Sequence, residues 1–208
     1  IAAFSLILFL PLFLPIIIIL KLSGEGEVFY LQERIGKFNK PFKIWKFATM
    51  LKNSPNMGTG DVTVKNDPRV LPIGKFLRKT KINELPQIIN VLIGEMSIVG
   101  ARPLVDVSFN QYSEKVKKVI YNTPPGITGI GSLIFRDEES IIAQSSLPPR
   151  EFYEKKIIPY KGEVEKWYQT NQNLFIDFKI IFLTAWTIIF PKSQLIYKVF
   201  PTLPLRPF

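Results

Sequence analysis

The chain has 208 residues, 27 lysines and arginines against 17 aspartates and glutamates, a formal net charge of +10, and neither cysteine nor histidine. Without cysteine there is no disulfide and no thiol nucleophile. Without histidine the commonest acid–base group and zinc ligand is missing, so any catalysis must rest on carboxylates, lysine, tyrosine or a metal. The charge suits anionic partners: nucleic acid, phosphorylated substrates or an anionic membrane surface. The length suits one domain, or one domain plus a membrane element. The chain begins at Ile1 rather than methionine, so a short N-terminal piece is expected to precede it.

Residues 1–20, IAAFSLILFLPLFLPIIIIL, carry no charge. Twenty apolar residues make about 30 Å of helix, the thickness of a bilayer core. No small-residue cleavage site marks the run as a signal peptide. Pro11 and Pro15 each remove a backbone donor and kink a helix. The run reads either as a straight span or as a re-entrant helix that bends at Pro11 and returns to the same face; hydropathy alone favours the span. Residues 27–32 and 41–47 are rich in strand formers. Between residues 33 and 52, Arg34, Lys37, Lys40, Lys43, Lys46 and Lys52 interleave with Phe38, Phe42, Trp45 and Phe47. Such a mixture suits base stacking, but directly after a membrane segment an interfacial belt explains it better. Residues 54–67 read as a turn-rich connection or mobile flap; their GTG lacks the length and the GK[ST] ending of a phosphate loop.

Residues 71–104, LPIGKFLRKTKINELPQIINVLIGEMSIVGARPL, organise the rest. Arg78, Lys79 and Lys81 precede Asn83 and Glu84, Pro86 falls in the first predicted turn, and Arg102 returns after the helix should end. Leu85, Ile88, Ile89 and Leu92 recur at the spacing of one buried helix face. A helix start ringed by cations is a place for phosphate, and a carboxylate there can hold a divalent metal against it. The plainer alternative makes Asn83 an N-cap, Glu84 a first-turn acid and the cations a solvated rim. Further on, residues 109–121 predict a basic helix and residues 123–132 a turn cluster. Arg136, Asp137, Glu138 and Glu139 read as a solvated charge run, followed by a charged segment over residues 149–167. Residues 174–190 predict an amphipathic helix at a membrane interface or in the core. The proline-rich tail predicts no regular structure.

Four segments, VFYLQERIGKFNKPFKIWKFATM, NDPRVLPIGKFLRKTKINELPQIINVLIGEMSIVGARPL, PPGITG and LFIDFKIIFLTA, resemble in order the bacterial sugar transferase family. These are the monotopic phosphoglycosyl transferases that start capsule, exopolysaccharide, O-antigen and glycoprotein glycan assembly. The resemblance implies an α/β fold: a small mixed α+β cytoplasmic domain over residues 23–208, with a re-entrant membrane helix over residues 1–22 and interfacial amphipathic helices. It reverses the hydropathy preference and puts the bend at Pro11, although Leu10-Pro11 stands where many members have Ser-Pro. It also implies transfer of a sugar-1-phosphate from a UDP-sugar to undecaprenyl phosphate, with release of UMP and the help of Mg²⁺. The setting is the cytoplasmic face of the bacterial inner membrane. Lipid is a partner, nucleic acid is not, and a homo-oligomer is compatible.

In the family an Asp-Glu pair before LPQ supplies an aspartate nucleophile, which forms a phosphosugar-enzyme intermediate, and a glutamate metal ligand. Here the pair falls on Asn83 and Glu84. Arg78, Arg102 and Arg136 match family arginines near the phosphates, and Lys46 and Asp177 match the pattern. Ala48 replaces an arginine and Ala101 a proline. An amide cannot attack phosphorus as a carboxylate does. Four accounts of Asn83 follow: an engineered substitution, attack by Glu84 or another carboxylate, direct attack by the lipid phosphate, or a non-catalytic relative. Two further roles stay open, a membrane-anchored nucleic-acid-binding module and a non-catalytic membrane scaffold beside an active transferase.

Overall fold

The computed structural model describes residues 2–58, 63–64, 66–191 and 193–208, with the side chains of the first helix from residue 10 onward. Of the connection expected over residues 54–67, residues 59–62 and 65 lie outside the described residues, and Ser54–Asn56 form a 3₁₀ turn. Helix α1 (Ala2–Leu22) runs through Pro11 and Pro15 as one element, so no interruption of the helix marks the bend expected at Pro11. Among the described residues no helix is long and apolar enough to cross a membrane. Phe13, Ile16 and Leu20, at helical spacing, pack on Phe47 and Leu77. The Phe13 and Phe47 rings meet edge-to-face with centroids 5.3 Å apart.

The first predicted strand is displaced from residues 27–32 to β1 (Phe29–Ile35) and the second forms as β2 (Pro41–Phe47), the two making an antiparallel hairpin registered with Tyr30 opposite Lys46 and Ile35 opposite Pro41. Because side chains alternate with period 2, Tyr30, Gln32 and Arg34 share one face with Lys46. Helix α2 (Pro72–Lys79) opens on a proline, whose missing N–H is one of the unused donors of a first turn.

The helix predicted to start at Asn83 differs in detail. Lys81 takes a left-handed conformation (φ 62°), a tight 3₁₀ turn spans Ile82–Gln87, and only then does α3 (Ile88–Leu92) begin. Pro86 has no N–H to give to the carbonyl of Ile82, so an α-turn cannot close there and the shorter 3₁₀ bonds take over. The side chain of Asn83 therefore makes no cap bond, and Lys81 holds the cap position. The expected apolar stripe also breaks: Ile88 is buried, but Leu92 is exposed, and Asn83, Gln87 and Asn90 are buried instead.

Strand β3 (Ser97–Val99) pairs in parallel with β4 (Gly126–Thr128), Val99 opposite Thr128. The predicted turn cluster thus contains a strand. Its glycines serve close approach, since a Cβ on Gly126 or Gly129 would fall on the backbone of Gly100. The predicted basic helix is two short ones, α4 (Asp106–Asn110) and α5 (Glu114–Lys117), separated where Ser113 adopts an extended ψ of 152°.

Helices α6 (Ile130–Ile134), α7 (Glu138–Ala143) and α8 (Pro149–Phe152) lead into a widened turn over Tyr153–Ile157 and the long α9 (Ile158–Asn171). Pro159 cannot bond the carbonyl four residues back, and the turn before it opens to π geometry. Helix α10 (Leu174–Ile189) is capped by Asn173, whose Oδ1 accepts from the Ile176 N–H at 3.0 Å. The Tyr168 hydroxyl donates to Asp177 at 2.8 Å and ties α9 to α10, which gives Asp177 a structural part. Part of this helix is core, as expected: Ile180 and Leu183 enter the main core, while Phe175, Phe178 and Phe182 are exposed. The tail is not wholly irregular, for it contains α11 (Leu195–Val199).

Candidate active site

The inward face of the hairpin, the 3₁₀ turn, the Arg102 segment, α6, α7 and α9 enclose a cavity of about 1620 Å³. Each wall has a reason in the sequence. Asn90, fully buried, accepts from the Trp45 N–H at 3.0 Å and donates to the Lys43 carbonyl and the Glu95 carboxylate, both at 2.8 Å. It thereby pins β2, and with it Lys46, beside the 3₁₀ turn. On the far side of that turn Ile82 and Leu85 pack against the α1 cluster. Residues 83 and 84 are thus held between α1 and the cavity.

Glu84 is the centre. Its Oε1 lies 2.8 Å from Arg102 Nη2 and 3.7 Å from Lys46 Nζ, and Arg102 Nη1 approaches Oε2 at 3.4 Å. Burial works to raise the Glu84 pKa, but Arg102, Lys46 and Lys81 outweigh it and hold the carboxyl well below the usual range. Lys46 responds oppositely. Burial, aided by Arg34, Arg102 and Arg78 and opposed by Glu84, pushes its ammonium down to about 7. Burial and the neighbouring Arg102 bring Arg34 down to about 10. Cations here outnumber the one central carboxylate, which is the field a diphosphate needs.

The other sequence candidates line the same cavity. Arg78 donates to Glu139 Oε1 at 3.2 Å, joining α2 to α7. Arg136 stands at the start of α7, and burial lowers its pKa against the pull of Asp137. The charge run at 136–139 is therefore not merely a solvated face. Asn83 is buried, and its Oδ1 has no hydrogen-bond partner. Pro11 stands apart from this group, on α1.

For Mg²⁺, the donor set is narrow. No cluster of three metal-ligating side chains occurs among the described residues, and Glu84 is the acidic donor at the centre. That set fits an ion that takes one or two carboxylates and draws its remaining oxygens from phosphate and water. It requires Arg102 to yield one Glu84 oxygen.

The profile of the family described as "Bacterial sugar transferase" matches residues 1–191. The chain belongs to that family. It is 36% identical over 188 residues to the UDP-glucose:undecaprenyl-phosphate glucose-1-phosphate transferase of Escherichia coli (strain K12), covering 89% of this chain and 38% of that protein. It is 34% identical over 190 residues to the UDP-N-acetylgalactosamine-undecaprenyl-phosphate N-acetylgalactosaminephosphotransferase of Aeromonas hydrophila, covering 90% and 41%. Against the exopolysaccharide production protein ExoY of Rhizobium meliloti (strain 1021) the identity is 32% over 208 residues, covering 93% and 84%. The chain spans about two-fifths of the first two relatives and most of the third.

Among the residues lining the cavity, several had no motif to announce them. Arg34 was detectable from strand alternation, being on the face that Lys46 defines. Lys161 and Glu165 stand one helical turn apart among Ile157, Ile158, Val164 and Tyr168, all buried. Two charges inside an apolar stripe were the signal there. Lys161 Nζ donates to Glu138 and lies over the Phe135 and Tyr153 rings, 4.9 and 5.1 Å from their centroids. Burial drives Glu165 up to about 8, against the Arg102 backbone N–H and Lys161.

Proposed function

We propose that this chain transfers a sugar-1-phosphate from a UDP-sugar to undecaprenyl phosphate, releasing UMP, at the cytoplasmic face of the bacterial inner membrane. The observation that carries this reading is Glu84, held ionised between Arg102 and Lys46 in a basic cavity whose rear wall packs on α1. The names of the relatives, which specify UDP-sugars and undecaprenyl phosphate, support it. Exposed Leu14, Ile18 and Leu22 on α1 and exposed Phe175, Phe178 and Phe182 on α10 support a seat in lipid, where such side chains cost nothing.

Arg102, Lys46 and Arg34 neutralise the diphosphate, while Arg78 and Arg136 receive its outer oxygens. Mg²⁺, when bound at Glu84, would add Lewis-acid polarisation of the diphosphate oxygens. Position 83 decides the route. The nitrogen lone pair of an amide is delocalised and its oxygen uncharged, so Asn83 offers no nucleophile. A lipid phosphate oxygen then attacks the sugar-bearing phosphorus directly. The bond from that phosphorus to the bridging oxygen breaks, and UMP leaves with the electron pair. Asn83 is left to donate from its amide nitrogen to a phosphate oxygen. The substitutions at Asn83, Ala48 and Ala101 together favour a second reading, a non-catalytic partner of an active transferase.

Radiolabelled UDP-sugars, Mg²⁺ and undecaprenyl phosphate test the reading. A lipid-linked labelled product together with UMP is expected from the native chain, without a covalent phosphosugar adduct by intact mass. No product from native chain with any common UDP-sugar, but product from Asn83→Asp, would favour the second reading. Product from neither refutes the transferase assignment.

A further inference from the structure

The reaction above uses the cationic wall of the cavity and leaves the α6–α9 wall without a task. Two buried polar atoms there have no hydrogen-bond partner, Glu165 Oε2 and Ser132 Oγ, and both residues line the cavity. Glu165 is only 4% exposed. Gly131, next to Ser132, lets the carboxyl lie against α6, since a Cβ there would fall on Glu165 Oε1. Buried polar groups of native proteins are nearly always satisfied, so two on one cavity wall call for a ligand that completes them.

The chemistry of this wall is not that of a phosphate site. Its cation, Lys161, is already neutralised by Glu138, and a carboxyl faces the space. With Glu165 raised to about 8, the group keeps its proton at neutral pH, so it can donate from one oxygen and accept at the other. A hydroxyl does the same, as does Ser132. Tyr153 and Phe135 line the same cavity and supply apolar ring surface. Protonated carboxyl, hydroxyl and aromatic faces together suit a sugar ring.

Position agrees with composition. The Arg102 backbone N–H lies against Glu165 while its guanidinium grips Glu84. Arg102 thus joins the two carboxyls, one at its backbone and the other at its guanidinium. We propose that Glu165 and Ser132 form the subsite that holds the hydroxyls of the transferred sugar. This rests on the UDP-sugar reading and names the residues that recognise its sugar.

Calorimetric titration of the full chain in detergent, with UDP-glucose, UDP-galactose, UDP-N-acetylgalactosamine and UDP, tests it. On the native chain at least one UDP-sugar should bind more tightly than UDP. Ser132→Ala and Glu165→Leu should each weaken that UDP-sugar about tenfold, as lost hydrogen bonds to a bound hydroxyl do, and leave UDP within about twofold. Circular dichroism checks folding, and if Glu165→Leu fails to fold, Ser132→Ala alone decides. UDP-sugar affinity unchanged in the folded variants, or falling in step with UDP, overturns the subsite. So does a native chain that binds UDP as tightly as every sugar nucleotide, with the transferase reading left standing. A native chain that binds neither UDP nor any UDP-sugar overturns both.

Discussion

Glu165 offers the sharpest check on the electrostatics of the cavity, because its protonation is coupled to the stability of the whole fold. A glutamate ordinarily titrates near 4.5, whereas burial moves this one to about 8. Between those values the folded chain holds a proton that the unfolded chain has released, so stability falls as pH rises. The slope is ~1.4 kcal/mol per pH unit, and the whole interval is worth ~5 kcal/mol. Between pH 6 and pH 8 the native chain should lose ~2.3 kcal/mol from this group alone, the slope easing as pH nears the folded pKa. Lys46 acts with the opposite sign. Its folded pKa of about 7 lies below the ordinary 10.5, so the unfolded chain binds the extra proton and stability recovers above pH 7. Glu165→Gln removes the first effect and keeps the second. Urea unfolding followed by tryptophan fluorescence, at half-unit steps from pH 5.5 to 9, gives both curves. Their difference should shrink steadily toward pH 5.5 and level off above pH 8. Parallel curves across pH 6–8 would mean that Glu165 is ionised in the fold, and its desolvation would have been misjudged.

Further outcomes can be checked with single substitutions. Asn83→Asp should restore a carboxylate nucleophile beside Glu84, and incubation with UDP-sugar and Mg²⁺ should then give a phosphosugar adduct by intact mass; no adduct in an otherwise active variant would place the dyad elsewhere. Arg102→Ala leaves the Glu84 carboxylate with Lys46 as its remaining close cation and should cost about 1–3 kcal/mol. Adding Glu84→Gln should return part of that in thermal melts, and a purely additive double variant would deny the coupling. Asn90→Ala deletes three bonds, two to β2 and one to Glu95, for an expected loss of about 2–4 kcal/mol in urea unfolding. A loss below 1 kcal/mol would mean that β2 is positioned by packing alone.

The elements with a clean local period were legible from the residues. The hairpin is one: its strand formers marked both strands, although the first runs on to Ile35, and the register puts Lys46 on the face that carries Arg34. The grouping of Asn83, Glu84, Arg78 and Arg102 about one cavity was legible because charge and spacing agree. Its backbone was not. Pro86 reads equally as a first-turn proline of an α-helix, and only the left-handed Lys81 settles the entry as a 3₁₀ turn. The glycines at 126 and 129 look like turn residues until Gly100 is seen lying against them, a contact across more than twenty residues of sequence. Asn90 was invisible for the same reason, and Glu165 showed only as a charge inside an apolar stripe. A buried amide or acid is recognised by what surrounds it, and those neighbours come from other elements.

The acidic first turn of α7 has one more effect. Glu139 already occupies Arg78 and Glu138 already occupies Lys161, so an incoming anion meets cations with tethered rivals. A carboxylate fixed at the cavity rim competes at high effective concentration, and a lone monoanion gains little by displacing it. A ligand with two linked phosphates engages several cations at once and prevails. Were a diphosphate the ligand, the built-in competitor would favour it over the simple ions of the surroundings.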